Sequence, residues 1–571
     1  MNYDLFGAEG ASLSYTTKCD GDITYVTVNM TLPAPAVPET FTLEWFEDAR
    51  ENYSFWGPNV ATQRNLAPDW GPRVSDSRIA SGAPIHAVIA NTDQNRTTIA
   101  LSDPKIPTKI STGIDEKRAQ MRYKVEFFTN PTTPIDSYSA VVRIDRRAVN
   151  YCDALRDAAA WWETDCGYKS AHVPEYAKMP MDSLWYSFHQ DLDFDKIITE
   201  CRLAKPLGLD TVIIDDGWQT VDTNGGYAYC GDWRPVGFPR IKELVEEIHK
   251  IGLKVILWYS VPFLGIYSDS FEEFKNYTLY SFFDDKVYVL DPRYKKVREY
   301  LCKFYCEAVG EWGFDGLKLD FIDSFCLGND EGKPTHLRDY QSLEDAVEAL
   351  MDDVKSALCA INPEVMVEFR QSYIGPAIRK YGNMLRVGDC PCCAMSNRRA
   401  ILDLRLISGD TAVHSDMLMW CVNDTAESVS LQLASVLFSV PQISVHLDKI
   451  TEEQKKTLAH YISFWREHRH ILLDGKLYAA DPGAVYSKAY SEKDKKAVCV
   501  NYEDPTVSGD WDSFVAVNCT GKSHLYIDGF EGKSYKVVNC MGESISEGNL
   551  AAVSKVSVPR GGMIFVDRTL D

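Results

Sequence analysis

The sequence predicts a multidomain α/β and β protein: a central (β/α)8 TIM barrel flanked by an N-terminal β-sandwich and a C-terminal antiparallel β-domain. Three observations carry this prediction. Short apolar strands alternate with helical periodicity through the middle of the chain, period-two segments fill its first part, and period-two segments return near its end. At 571 residues the chain exceeds the size at which one hydrophobic core stops growing, so several domains are required. The divisions expected are 1–150, 151–470 and 471–571.

The first part carries alternating segments at Thr24–Val28, Phe41–Trp45, His86–Ala90, Thr97–Leu101, Tyr123–Phe127 and Ala140–Ile144. Turn-rich stretches such as Pro33–Pro38 separate them, which suits a sandwich. From Leu184 onward eight strands are expected: Ser183–Phe188, Thr211–Asp215, Lys254–Trp258, Gly316–Asp320, Val365–Phe369, Met384–Val387, Thr411–His414 and Gln442–His446. Between the second and third, Ile241, Leu244, Val245 and Ile248 hold helical spacing, with Gly252 at the C-terminal cap. Leu343, Ala346, Val347, Leu350, Val354 and Leu358 do the same before the fifth, ending at Asn362-Pro363. Eight strand–helix units describe a barrel. After His470, strands return at Ala497–Asn501, Phe514–Asn518, Leu525–Ile527, Tyr535–Val538 and Met563–Val566.

A formal net charge of −22 disfavours nucleic acid as a partner, because a protein that binds phosphates needs a basic face. No apolar run is long enough to span a bilayer, and the first residues lack the basic and apolar regions of a signal peptide. Most of the 16 cysteines fall inside predicted strands and helices, where they act as small hydrophobes, and a reduced, cytoplasmic setting is expected.

Barrel chemistry gathers at the C-terminal ends of the strands. Strand 2 ends in Asp215 and Asp216, strand 4 in Asp320, strand 5 reaches Glu368, and strand 6 leads to Asp389. Any one acid there serves readily as a helix cap. Four strands ending in acids, with Trp185, Trp218 and Trp258 at equivalent places, point instead to a site, since apolar strands do not collect unpaired charges. A retaining glycosidase needs one ionised carboxylate to attack the anomeric carbon and one protonated carboxyl to donate to the leaving oxygen. Asp320 fits the first role, with Lys318 two residues earlier pointing into the same barrel to keep it ionised. Asp389 fits the second if no cation holds it, and Arg386, three residues away, is expected to face elsewhere.

Asp215-Asp-Gly-Trp218, Gly231-Asp-Trp233, Lys318-Leu-Asp320 and the Arg-x-x-Asp of Arg386–Asp389 resemble, in that order, the motifs of family-36 glycoside hydrolases. These are α-galactosidases related to families 27 and 31. The likeness covers about residues 180 to 450. It implies that Asp320 forms the glycosyl-enzyme and that Asp389 is the acid/base. It also implies that Asp215 and Asp216 bind the sugar's 4- and 6-hydroxyls, that Trp233 packs on the ring or aglycone, and that Lys318 contacts ring hydroxyls. Trp218, Trp185, Arg370, Arg386 and His414 complete the expected binding set, His414 shaping the aglycone side. No metal and no cofactor are expected; an oligosaccharide or glycoconjugate is the expected partner, and a homo-oligomer is left open.

Two departures from the family pattern stand out. Its small Cys-Ser-Gly-Gly run at the end of strand 5 is replaced by Glu368-Phe-Arg-Gln-Ser-Tyr373. Arg370 there either reads a modified sugar, of N-acetylgalactosamine or uronic acid type, or braces Glu368 or Asp389. The N-terminal domain is also shorter than in the family, where it can complete a neighbouring subunit's site. Cys390-Pro-Cys-Cys393 lacks the paired spacing of a zinc site. His414-Ser-Asp416 cannot form a local triad, because adjacent strand residues face opposite ways. Beside the hydrolase stand two other readings: a transglycosidase of the same lineage, and a non-catalytic carbohydrate-binding barrel.

Overall fold

The computed structural model describes residues 2–567 apart from Val60, Ala61, Val221, Thr223 and Gly225. Two six-stranded sheets form the first part and enclose a core that includes Val28, Leu43, Trp45, Ile99, Val125 and Val142. All six segments expected there are strands, and the odd–even burial of Gln120–Phe127 shows why: one face packs inward and the other does not.

Eight parallel strands make the barrel, in the order 7-6-5-4-3-2-1-8. They are Met181–Ser183, Thr211–Ile214, Lys254–Ser260, Gly316–Asp320, Met366–Arg370, Met384–Arg386, Ala412–His414 and Gln442–Ile443. Strands 7 and 8 meet only through a bridge between His414 and Val440, so the barrel is nearly closed. The expected helices form as Ile241–Ile251, with Gly252 left-handed at its cap, and as Leu343–Ile361, with the Ser342 side chain accepting from the Asp345 amide. Strand 1 is shorter than expected. It ends at Ser183, and Trp185–Phe188 is a helical turn. A three-stranded sheet (Phe263–Gly265, Thr278–Phe282, Val287–Leu290) between strands 3 and 4 was not expected.

Strand alternation sorts the barrel interior into layers. Met181, Ile213, Ile256, Met366 and Met384 pack with Ala177 as an apolar floor. Two residues further along each of these strands, in the direction of the mouth, stand Ser183, Asp215, Trp258, Glu368 and Arg386. The change from apolar to polar occurs in one step, and it places the charges where the loops converge.

Asp182 points the other way, out of the barrel. It is fully buried, neither carboxyl oxygen has a hydrogen-bond partner, and the Glu200 carboxyl lies near. Burial first, then Glu200, raises Asp182 well above the carboxylate range, while burial pushes Glu200 up to about 7. A carboxyl raised in the fold takes up a proton on folding, so its contribution is complete at low pH and is lost as pH rises through the folded value. Asp182→Asn is therefore expected to gain about 2 kcal/mol at pH 8 and nothing near pH 4. Thermal melts across that range check this, and an equal gain at both pH values would show that the carboxyl's proton is not involved.

The C-terminal part packs a seven-stranded sheet against a three-stranded one. Most pairs are antiparallel, but Lys496–Asn501 runs parallel to Ser513–Asn518, and Thr506–Ser508 parallel to His524–Asp528. Helix Glu452–Leu472, opened by a Thr451–Gln454 capping box, leads into it from the barrel.

The first sheets also brace the barrel's mouth. Arg78 donates to the Asp323 and Phe325 carbonyls at 2.6 and 2.5 Å, just past strand 4. The Gly82 amide donates to the Ser372 carbonyl at 2.6 Å, just past strand 5. Added stiffness falls where the acids stand.

Candidate active site

At the end of strand 2, Asp215 and Asp216 are both about 2% exposed. The Asp216 amide donates to Asp215 Oδ1 at 2.9 Å, and Lys318 Nζ donates to Asp215 Oδ2 at 2.6 Å. Gln190 and Gln219 donate their side-chain amides to the two oxygens of Asp216, at 2.8 and 2.6 Å. Burial pushes Asp216 up to about 6, with the Gln219 amide opposing. Gly217 (φ +120°) permits this packing, since a Cβ there would stand 2.6 Å from the Gln190 backbone.

Asp320 ends strand 4 and is 7% exposed. Its Oδ1 accepts from the Phe321 amide at 2.8 Å and from Arg370 Nε at 2.5 Å, and its Oδ2 accepts from Trp258 Nε1 at 3.1 Å. Burial raises this carboxyl, but Arg370, Lys318 and Arg386 together outweigh it and hold Asp320 below its ordinary value. A carboxylate kept ionised among three cations is suited to attack an electrophilic carbon.

Arg370 was expected to read a substituent or to brace Glu368 or Asp389. It pairs with Asp320 instead. The register explains this: Lys318 lies opposite Glu368 in the parallel ladder, so two residues on, position 370 comes beside position 320. Glu368 is 1% exposed, accepts from Gln442 Nε2 at 2.5 Å, and has Arg386 Nε at 3.6 Å.

Arg386 was expected to face away from Asp389, and this is corrected: its Nη1 donates to Asp389 Oδ1 at 2.8 Å and to Asp416 Oδ1 at 2.7 Å. Strand 6 stops at Arg386, so the alternation does not extend to Asp389, and the chain folds back to bring the two together. Asp416 is held in turn by the Cys390 amide at 2.6 Å and the Tyr186 hydroxyl at 3.1 Å. Asp389 is the open member of the group, its side chain 57% exposed. Burial raises its carboxyl, while Arg386 and then Lys318 pull it below the ordinary value.

The aromatic residues sort differently from expectation. Trp218 is fully buried, donates its indole N–H to the Trp258 carbonyl, and packs on Trp233 and Tyr259. Trp233 is 2% exposed in the same cluster. Both pack the wall behind strand 3, because the loop that carries them turns back onto apolar neighbours. Trp185 stays half-buried against His189, with ring centroids 4.7 Å apart. His414 is also corrected. It is fully buried, donating from Nε2 to the Ala177 carbonyl and taking the Gln442 amide at Nδ1, so it belongs to the barrel floor. Burial lowers it to about 4.

The residues that the motifs did not point to are mostly neutral: Gln190, Gln219, Gln442, and Tyr227, whose hydroxyl feels Asp216 and Asp320. Trp258 was named only as one of several tryptophans, and it is the one that hydrogen-bonds Asp320.

Comparison with known proteins adds to this. No family model matches the chain. A 148-residue stretch is 27% identical to α-galactosidase Mel36A of Lactobacillus acidophilus, covering 24% of this chain and 19% of that protein. The chain thus matches about a fifth of that relative's length. The whole fold superposes on the crystal structure of an α-galactosidase from Lactobacillus brevis, with a TM-score of 0.69 and 15% identity over 98% of this chain and 80% of that one. It superposes equally over its full length on α-galactosidase AgaA of Geobacillus stearothermophilus, a GH36 enzyme, in complex with 1-deoxygalactonojirimycin (TM-score 0.64, 13% identity, 87% of that chain). At these identities the likeness shows the fold.

Proposed function

We propose that this chain, which has the fold of the family-36 α-galactosidases, is a retaining exo-α-galactosidase acting on terminal α-galactosyl residues of oligosaccharides or glycoconjugates. The observation that carries the proposal is the pair at the mouth: an ionised, triply hydrogen-bonded Asp320 and an open Asp389 in contact with Arg386. Related structures were solved with stachyose and raffinose bound to AgaA variants, which supports a sugar substrate.

In this reading Asp320 Oδ2 attacks the anomeric carbon as Asp389 gives its proton to the departing glycosidic oxygen. The C1–O bond to the aglycone breaks, and a C1–O bond to Asp320 forms. Asp389, now ionised, takes a proton from water, whose oxygen attacks C1 and releases Asp320. Two inversions leave the product in the α configuration. Asp215 and Asp216, as acceptors, suit the sugar's hydroxyl donors far from the reacting carbon. All sixteen cysteines are free thiols, including the exposed Cys19, Cys326, Cys392 and Cys421, which supports a reducing, cytoplasmic setting. No described helix is long and apolar enough to cross a membrane.

Release of nitrophenol from 4-nitrophenyl α-galactoside, with Asp320→Asn as control, tests the proposal. Proton NMR of the first product formed should show the α-anomer. An initial β-anomer would mean an inverting enzyme, and no release would direct attention to the corresponding galacturonide.

A further inference from the structure

Arg370 does more in this site than hold a partner. Its side chain is 18% exposed, and its guanidinium is fixed on three sides. Nε donates to Asp320, Nη1 donates to the Gln371 carbonyl at 2.7 Å and reaches Asp323 at 3.5 Å, and the rings of Phe321 and Tyr373 lie 5.0 and 5.7 Å away. Among the described residues Nη2 makes no hydrogen bond, and it is not one of the buried polar atoms left unsatisfied. One N–H edge of a clamped cation therefore opens into the mouth beside the nucleophile.

The chemistry of the reaction decides which substrate atom that edge meets. A group bonded to one nucleophile oxygen lies near the two substituents that flank C1, the ring oxygen and the oxygen on C2. Positive charge builds on C1 and the ring oxygen as the glycosidic bond breaks. A fixed guanidinium against the ring oxygen would oppose that charge. Against O2 it does not, and hydrogen bonds to this oxygen strengthen in the transition state. Strand order agrees, because Asp215 stands on strand 2, Asp320 on strand 4 and Arg370 on strand 5. A ring whose far hydroxyls meet Asp215 and Asp216 turns its C2 edge toward Arg370.

Size narrows the substituent. The guanidinium and its two flanking rings fill the wall next to Asp320, so a 2-acetamido group would have to push aside the ion pair that keeps the nucleophile charged. We infer that Arg370 is a catalytic residue donating from Nη2 to the sugar's 2-hydroxyl, and that the site accepts 2-hydroxy sugars and rejects 2-acetamido ones. This rests on Asp320 being the nucleophile of an α-galactosidase.

The test compares kcat/KM for 4-nitrophenyl α-galactoside, its 2-deoxy analogue and its 2-acetamido-2-deoxy analogue, using the native enzyme, Arg370→Met and Arg370→Lys. The native enzyme should lose on the order of 100-fold on the 2-deoxy substrate and should not turn over the 2-acetamido one. In Arg370→Met the parent rate should fall comparably, while removing O2 should cost only a further few-fold. If the methionine variant does not fold, Arg370→Lys carries the comparison, since an ammonium cannot bridge Asp320 and O2 in the forked geometry and the 2-deoxy penalty should shrink there as well. A 2-deoxy penalty that is as large in the variant as in the native enzyme overturns the assignment. So does native turnover of the 2-acetamido substrate near the parent rate. A native enzyme inactive on all three sinks the α-galactosidase reading itself, a result distinct from either of these.

Discussion

Replacing Asp320 by Ala is expected to lower kcat on 4-nitrophenyl α-galactoside by at least about 10⁴-fold, the scale reached when a covalent nucleophile is removed. The loss should not reflect unfolding. Asp320 accepts three hydrogen bonds, and their donors, at the barrel's mouth, regain water when the carboxylate goes. Arg370 keeps the Gln371 carbonyl and Asp323 as partners. A melting temperature within a few degrees of the parent's checks this. Azide should then restore part of the rate. It enters the space left by the carboxylate, on the face of C1 opposite the leaving group, so one inversion occurs and the product is β-galactosyl azide. If azide gave no rescue and the variant kept a measurable fraction of native kcat, the nucleophile would have to be another of the acids. Glu368 would be next, but it is nearly inaccessible and burial raises its pKa, so it is a poor nucleophile.

What the sequence made legible follows from which interactions are local. The carboxylates at the ends of strands 2, 4 and 6 stood out because charge at the end of an apolar run is rare enough to read directly. Strand periodicity also placed Lys318 beside Asp215 and Asp320 in one interior, as the structure has it. The Arg386–Asp389 contact was not legible, because it depends on strand 6 ending at Arg386 and alternation says nothing past that point. Arg370 found Asp320 through parallel register, which is a relation between strands that no single segment encodes. Trp218 and Trp233 misled for a similar reason: indoles on a loop look alike whether the loop folds over the mouth or back onto strand 3. Gln190, Gln219 and Gln442 carry no charge and no motif, yet they satisfy Asp216 and Glu368.

Asp389→Ala should behave quite differently from Asp320→Ala, and the difference is the sharper test of the pair. Loss of the acid should cost roughly 10²–10⁴-fold in kcat/KM where the leaving group needs a proton, as with an oligosaccharide. With 2,4-dinitrophenyl α-galactoside, whose leaving group needs none, kcat/KM should stay close to the parent's. Deglycosylation then limits kcat, and azide should raise it. Because azide now attacks the intermediate on Asp320, the product has undergone two inversions and is α-galactosyl azide, the opposite anomer to that from Asp320→Ala. The surroundings of Asp389 add a pH signature. In the free enzyme Arg386 and Lys318 hold its carboxyl below the ordinary value, so the protonated form that the first step needs is lost early as pH rises. An aglycone lying over a side chain that is 57% exposed removes water from it and favours the neutral acid. The alkaline limb of kcat/KM, which reports the free enzyme, should therefore lie at lower pH than that of the burst rate at saturating substrate, which reports the complex. Coincident limbs would mean that the substrate leaves Asp389 hydrated. The alkaline limb should vanish in Asp389→Ala with the dinitrophenyl substrate, and a limb that persisted there would assign the proton to another group, of which Asp416, paired with the same Arg386, is the nearest.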